Sequence, residues 1–470
     1  MSNAIDADYS KVFLFPPSLE DFLPEDDPAR FIRAFVDSLE ADAIDLVEKN
    51  DTDGRPPYSW RLLLCVWLYG WFERVKSSRD LEKMCHRDVG MLWLTGMHYP
   101  DHNTIWRFYR DNRKSMKLLF KQSVHVAMKN KLIGMVLHAL DGTKIKANAS
   151  RYKDLSKKKL EKLLGDIDAS INTFVQQIED ESNEPLKDFD SLPEELRNHV
   201  KLRKKIQEDL AELSREGVNN LNTTDRDSRL MHNRHGGIDY SYNAQAVADS
   251  SHGIVVSADV TTDERDCHQL SKQISTVTET VGKNAESIVA DSGYYSGEEL
   301  YKVEECEADV LVSIPERFNE NQYKSSEDIH HVNNYSYDKE RDCFICPRGG
   351  ELHFIKEDKK NRAYACNVFD KCIYRAECTR NKYNRVVRVS KYHSCIRLQQ
   401  EKQRHGVRFE KLKRRKAIIE PIFGIIKERL GFRRFSGRGY TNASAQWLFV
   451  NCVYNLRKIY RYCGLSAAFV

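Results

Sequence analysis

GMVLHALDGTKIKA, Gly134–Ala147, is an apolar run that ends in Asp141 and passes at once into Gly142-Thr143-Lys144. A short apolar run closed by a turn signal predicts a buried strand with one carboxylate at its mouth. The design returns in SIVADSGYY, Ser287–Tyr295, where Ile288, Val289 and Ala290 lead into Asp291 and then Gly293. Two strands that each deliver an aspartate are a way to build a metal site. Glu420 is the third candidate acid, because RRKAIIEPIFGIIKERLGFRRF surrounds it with so many cations that it is expected to meet phosphate as well.

Outward from these strands, the element order predicts an α/β fold. Residues 225–315 read as an antiparallel strand pair (Tyr242–Ala248 and Ile254–Val260), a helix at about 264–282, the Asp291 strand and a further strand at Ala308–Ile314. With residues 134–150 this is the order of a ribonuclease-H-like core, although order alone leaves many α/β folds open. Residues 151–224 interrupt it with two charged amphipathic segments joined around Pro185 and Pro193, expected as an inserted helical hairpin. Residues 316–395 form a second insertion, polar and cysteine-rich, and residues 396–470 a basic C-terminal part that breaks at Pro421. Residues 1–133 read as a helical N-terminal domain with a central apolar helix at Tyr58–Val75. A helix capped near Asp101 is expected to run toward Leu132. Its polar face, Asn103, Thr104, Arg107 and Arg110, fits either a DNA-reading helix-turn-helix or an ordinary bundle.

Composition narrows the setting. No stretch approaches the ~20 apolar residues of a membrane span, and MSNAIDADYS has no signal-peptide character, so a cytoplasmic chain without membrane contact is expected. Charge is distributed unevenly. Residues 1–60 hold 5 Lys/Arg against 14 Asp/Glu, whereas residues 371–460 hold 23 against 5, which points to a polyanion at the basic end or to a solvated basic surface. Twelve cysteines in such a chain are not a disulfide framework. Cys343-x2-Cys346 and Cys372-x5-Cys378, with Cys366 between them, suit a structural Zn2+ held by Cys346, Cys366, Cys372 and Cys378, or else reduced, unligated thiols.

The chemistry open to Asp141, Asp291 and Glu420 is phosphodiester cleavage with two Mg2+ or Mn2+ ions, since hard ions take carboxylate oxygen without needing histidine. Lys427, seven residues after Glu420, and Arg414, Arg415, Arg433 and Arg434 are the candidate phosphate ligands, with Lys144 beside the first acid. These motifs resemble bacterial insertion-sequence transposases of the DDE superfamily, in particular the group numbered eleven-eighty-two, related to the insertion-sequence-four type. The likeness runs through PEDDPARFIRAFVDSLE, RPPYSWRLLLCVWLYGW, SSRDLEKMC, PDHNTIWRF, LDGTKIKANAS, DSRLMHNRHGG, YNAQ, ADSGYYS, ICPRGGEL and IIEPIFGIIKERLGFRRFSGRG.

The resemblance implies that the acidic triad falls on Asp141, Asp291 and Glu420 of a ribonuclease-H-like domain. It also implies that Lys427 contacts terminal DNA and that Tyr294 occupies a DxGY pattern. Cleavage at inverted terminal repeats would free a 3′-hydroxyl that attacks target DNA, and pairing two ends implies a homodimer in the DNA complex. A nuclease without strand transfer, or a decayed transposase that only binds DNA, would keep part of the same pattern. Two places depart from the group. Lys413 and Lys416 stand where a tyrosine and an arginine precede the glutamate, and Phe369-Asp370-Lys371-Cys372 replaces a second CxxC.

Overall fold

The computed structural model describes residues 18–40, 44–46, 56–181, 194–233, 236–315, 329–367, 371–381, 383–403 and 406–469. At the N-terminal end, α1 (Leu19–Phe22) leads to α2 (Pro28–Asp37). Asp27 caps α2 by accepting from Ala29 N–H at 2.8 Å, and the stripe Phe31, Ile32, Phe35 and Val36 is buried. α3 (Trp60–Phe72) is apolar on nearly every side and buried along most of its length, as a central helix must be. Around it lie α4 (Ser78–Cys85), α5 (Val89–Thr95), α6 (His102–Asp111) and α7 (Met116–Lys129). The one helix expected from residue 102 toward Leu132 is therefore two. Asn112 ends the first by donating its side-chain amide to Phe108 C=O at 2.9 Å, in competition with the helical ladder.

β1 (Leu137–Lys146) is longer than expected and carries Asp141 in its middle. The first insertion follows: β2 (Asp154–Ser156), α8 (Lys157–Glu181), α9 (Glu194–Glu216) and β3 (Asn220–Asn222), packed on Leu160, Ile167, Ile206, Leu213 and Leu221. Pro185 and Pro193 lie outside the described residues. The main sheet continues with β4 (Arg229–His232), β5 (Ile238–Asp249), β6 (Val255–Thr261), β7 (Ser287–Ala290) and β8 (Asp309–Val312). β4 and β6 share the outer side of β5, and β1, β7 and β8 follow in that order. β5 is antiparallel to β1 and β6, while β7 and β8 run parallel to their neighbours.

α10 (Leu270–Val281) and α11 (Gly297–Lys302) flank β7 in sequence. The second insertion is a five-stranded antiparallel sheet: β9 (Ser336–Asp338), β10 (Cys343–Ile345), β11 (Glu351–Glu357), β12 (Asn361–Cys366) and β13 (Val386–Ser390), with α12 (Arg375–Cys378) between the last two. The chain then returns through α13 (His393–Gln403), α14 (Val407–Gly424) and α15 (Tyr440–Cys463). Pro421 does not break α14, contrary to expectation. It sits inside the helix, which passes directly into a π turn at Ile425–Arg429.

One continuous apolar core joins the N-terminal helices to the main sheet and to α14 and α15. Asn455 on α15 shows how the layers lock. It accepts from Val255 N–H at 2.9 Å, donates to Val255 C=O at 2.8 Å, and reaches Ser123 on α7 at 3.3 Å. Trp447 donates to the Gln245 carbonyl at 2.8 Å. Buried polar groups paired in this way fix how α15 crosses the sheet.

Candidate active site

Strand register brings the first two acids together. Leu140 pairs with Ala290 across β1 and β7, so Asp141 and Asp291 are the next residues on adjacent parallel strands. β7 stops there, but β1 stays paired with β5 as far as Lys146 opposite Ser241, which is why Gly142 does not end the strand. Asp291 instead caps a short 3-10 turn, Ser292–Tyr294, and accepts from Gly293 N–H at 2.8 Å.

Asp141 is buried, with its Oδ1 accepting from Gly142 N–H at 2.8 Å and its Oδ2 from Arg415 at 2.8 Å. Burial pushes its carboxyl up to about 6, against the pull of Arg415, and the nearby charge of Asp291 adds to the rise. Two carboxylates so placed repel each other, and a cation between or beside them relieves the cost of ionising both. Carboxylate oxygen from neighbouring positions of two adjacent chain segments is the donor type that a hard divalent ion takes, so these residues fit such an ion. Among the described residues, no group of three or more His, Cys, Asp or Glu side chains is already drawn together around one metal position.

α14 supplies what crosses the strands. Arg415 lies on its inward face with Ile419, Ile422 and Phe423, and only 9% of the Arg415 side chain is exposed. The sequence suggested a phosphate ligand here, but the structure turns Arg415 inward onto Asp141. Glu420 is exposed on the same helix, and no hydrogen bond or ion pair among the described residues joins it to either aspartate. Lys427, in the π turn, donates to Thr143 Oγ1 at 2.5 Å and to Lys144 C=O at 3.3 Å, so it meets β1 just beyond Asp141.

The other candidates fall in several places. Lys144 is half-buried and donates to the Glu264 carbonyl; burial pulls its pKa down, while Asp266, Glu264, Asp291 and Asp141 hold it up. Tyr294 is fully buried and donates to Gln245 Oε1, so it lines the site from within and is not a surface contact for DNA. Arg434 donates to the carbonyls of Ala147 and Ala149 at 3.0 and 3.1 Å, anchoring the end of β1, and Arg433 pairs with Glu428. Arg414 is exposed. In α6, Asp101 caps Asn103 and Thr104 through their N–H groups, Arg107 is exposed, and exposed Arg110 pairs with Asp111. Sequence reasoning missed two participants, Arg415 as the partner of Asp141 and Asp266 beside Gly142 and Gly293. One sequence gives no signal for either, because both depend on which segments pack together.

Cys346, Cys366, Cys372 and Cys378 converge on one cavity of about 30 Å³ in the second insertion, shared with His330 and Tyr335. That is room for one small occupant. Burial raises the Cys378 thiol, and the neighbouring Cys346 and Cys372 raise it further. Cys343 is buried in β10 opposite His353 and is not among them.

Two family models match the chain. Residues 17–111 match a Transposase domain (DUF772), which spans the N-terminal helices, and residues 345–460 match a Transposase DDE domain, which contains Arg415, Glu420 and Lys427. No curated protein matches significantly. No described helix is long and apolar enough to cross a membrane. With two transposase domains matched at its two ends, the chain is a DDE-type DNA transposase, an enzyme of insertion-sequence transposition.

Proposed function

We propose that the main sheet is a ribonuclease-H-like core whose triad is Asp141, Asp291 and Glu420, in a transposase of the insertion-sequence group eleven-eighty-two. The fold reading is supported by the strand order, with β5 alone antiparallel to β1 at the centre and β7 and β8 parallel beyond it. The observation that carries the site is the register that sets Asp141 beside Asp291.

Mg2+ or Mn2+, as two ions, supplies water activation and stabilises the leaving oxygen when bound. Asp141 and Asp291 would hold them from the strands, and Glu420 from α14. Arg415 occupies the Oδ2 of Asp141, and its guanidinium would be free to turn to the scissile phosphate if that oxygen were given to a cation. Lys427 holds the terminal phosphates beside β1, with Lys144, Arg414, Arg433 and Arg434 extending the cationic track. Tyr294 orients Gln245 under the site. The N-terminal helices bind the terminal inverted repeats, a homodimer pairs the ends, and the four converging thiols hold a structural Zn2+.

The test is incubation of purified protein with its element's end DNA and Mg2+. Loss of several kcal/mol of transition-state stabilisation corresponds to about a thousand-fold in rate, and that is the loss expected for Asp141→Asn, Asp291→Asn and Glu420→Gln. Cutting retained by Asp291→Asn would remove it from the triad, and joining of pre-cut ends to target DNA separates a transposase from a simple nuclease.

A further inference from the structure

π turns are rare and occur mostly as single turns at functional sites, so what holds the one at Ile425–Arg429 bears on Lys427, which it carries. Its own backbone closes it in part. Leu430 N–H donates to Ile425 C=O at 2.9 Å and Phe432 N–H donates to Ile426 C=O at 2.9 Å. Gly431 stands between them at φ 62°, the left-handed residue that ends a helix. The next carbonyls, of Leu430 and Gly431, are taken by the ammonium of Lys76 at 3.0 and 2.6 Å. A cation in this place also meets the negative end of the helix.

Lys76 comes from the other end of the chain, between α3 and α4. α3 stops at Phe72, Arg74 takes φ 71°, and Val75 N–H donates back to Gly70 C=O at 2.7 Å, so the chain doubles back and presents Lys76. An arginine in the left-handed region persists only where its surroundings impose it. Lys76 is half-buried, and burial pulls its pKa down, as expected of an ammonium that has exchanged water for two carbonyls. In the last turn of α3, Trp71 packs on Phe432 with ring centroids 5.8 Å apart, so a second side chain grips the same segment. Further along, Phe435 N–H donates to Lys146 C=O at 2.8 Å and pins that segment to β1.

Held in this way, the turn lays Lys427 on Thr143 Oγ1 and Lys144 C=O, just beyond Asp141. Lys427 stands three residues before Leu430, less than one helical turn, so a shift at the end of the turn carries Lys427 with it.

We propose that Lys76 is a positioning residue of the transposition site, which caps the π turn and so fixes where Lys427 presents its charge to the terminal DNA phosphates. This rests on the reading of Lys427 as a phosphate ligand. The first matched transposase domain, residues 17–111, thereby shapes a DNA contact made by the second.

The salt dependence of binding to the element's end DNA, measured on the full chain, tests this through a double-mutant cycle. Lys427→Met and Lys76→Met should each make the slope of log K against log salt shallower by about one, and the double variant should lose about one as well. A loss of about two in the double variant overturns the proposal, because Lys76 would then be a phosphate ligand in its own right. A wild-type slope in Lys76→Met, with or without a lower melting temperature, overturns it too and leaves Lys76 a cap for stability alone. Lys76→Gln ends one bond short of the ammonium and cannot span both carbonyls, so it runs the same cycle if Lys76→Met folds poorly. A wild-type slope in Lys427→Met overturns this inference together with the reading beneath it.

Discussion

Replacing Arg415 by Met tests the electrostatic reasoning about Asp141 directly. Both side chains of the pair are 9% exposed, so solvent screens little of the interaction. Removing the guanidinium leaves a buried carboxylate facing Asp291, and an uncompensated buried charge costs roughly 3–5 kcal/mol. The pH dependence has a definite sign. In the wild type the carboxyl is already raised from 3.8 to about 6. A carboxyl raised on folding contributes less stability as pH climbs from the unfolded value through the folded one, here about 3 kcal/mol less at pH 8 than at pH 3. Without Arg415 the folded value moves higher still, so Arg415→Met should be destabilised strongly at pH 8 and much less at pH 5, where the carboxyl keeps its proton. Adding Asp141→Asn should recover most of the loss at pH 8. Urea unfolding in the absence of divalent ions reads this through tryptophan fluorescence, since Trp67, Trp71 and Trp447 share the core that surrounds Asp141. An equal penalty at the two pH values would mean that packing, not charge, is what Arg415 supplies, and no penalty at pH 8 would refute the buried pair.

Further tests address other parts of the site. Lys427→Met should weaken end-DNA binding and make the salt slope shallower by about one; an unchanged slope in a binding titration would take Lys427 off the phosphates. Wild-type protein should carry one zinc ion by plasma mass spectrometry, and Cys372→Ser and Cys378→Ser should lose it, whereas a zinc-free wild type removes the ion from the cysteine cavity. Gly142→Ala would put a Cβ 2.5 Å from Gln245 Nε2, so it should lower stability by about 1–3 kcal/mol in a melting measurement.

Much of this fold was legible because it rests on local apolar pattern. Ile288, Val289 and Ala290 formed β7 as their spacing suggested, and the stripe Phe31, Ile32, Phe35 and Val36 marked α2. The failures have physical causes outside local pattern. Gly142 reads as a turn, but β5 supplies a complete ladder of partners and the strand continues; the glycine is there because Asp266 and Gln245 crowd its face. Pro421 reads as a break, but packing of Ile419, Ile422 and Phe423 against the core keeps α14 intact around it. Arg415 reads like its neighbour Arg414, and only the helix phase against β1 separates a buried partner of Asp141 from an exposed cation.

The great sequence separation of the three candidate acids has a structural answer. Each insertion between them closes its own core, the hairpin on Leu160, Ile206 and Leu213, the five-stranded sheet on Tyr335, Phe344 and Tyr364. Neither has to draw apolar side chains away from the main sheet. The hairpin leaves and rejoins the sheet through β2 and β3, whose pairing of Leu155 with Leu221 brings its two ends back side by side. Tyr240 on β5 donates to Asp154 at the base of the hairpin, and Ala147 N–H donates to Tyr240 C=O at 2.9 Å, which ties the junction to the strand that flanks Asp141. Loop-closure entropy grows only slowly with length, so a long excursion pinned at its base costs the core little more than a short one. The distance between Asp141 and Asp291 is therefore set by the register of β1 and β7, and the position of Arg415 and Glu420 by the seat of α14 across those strands, whatever length of chain lies between.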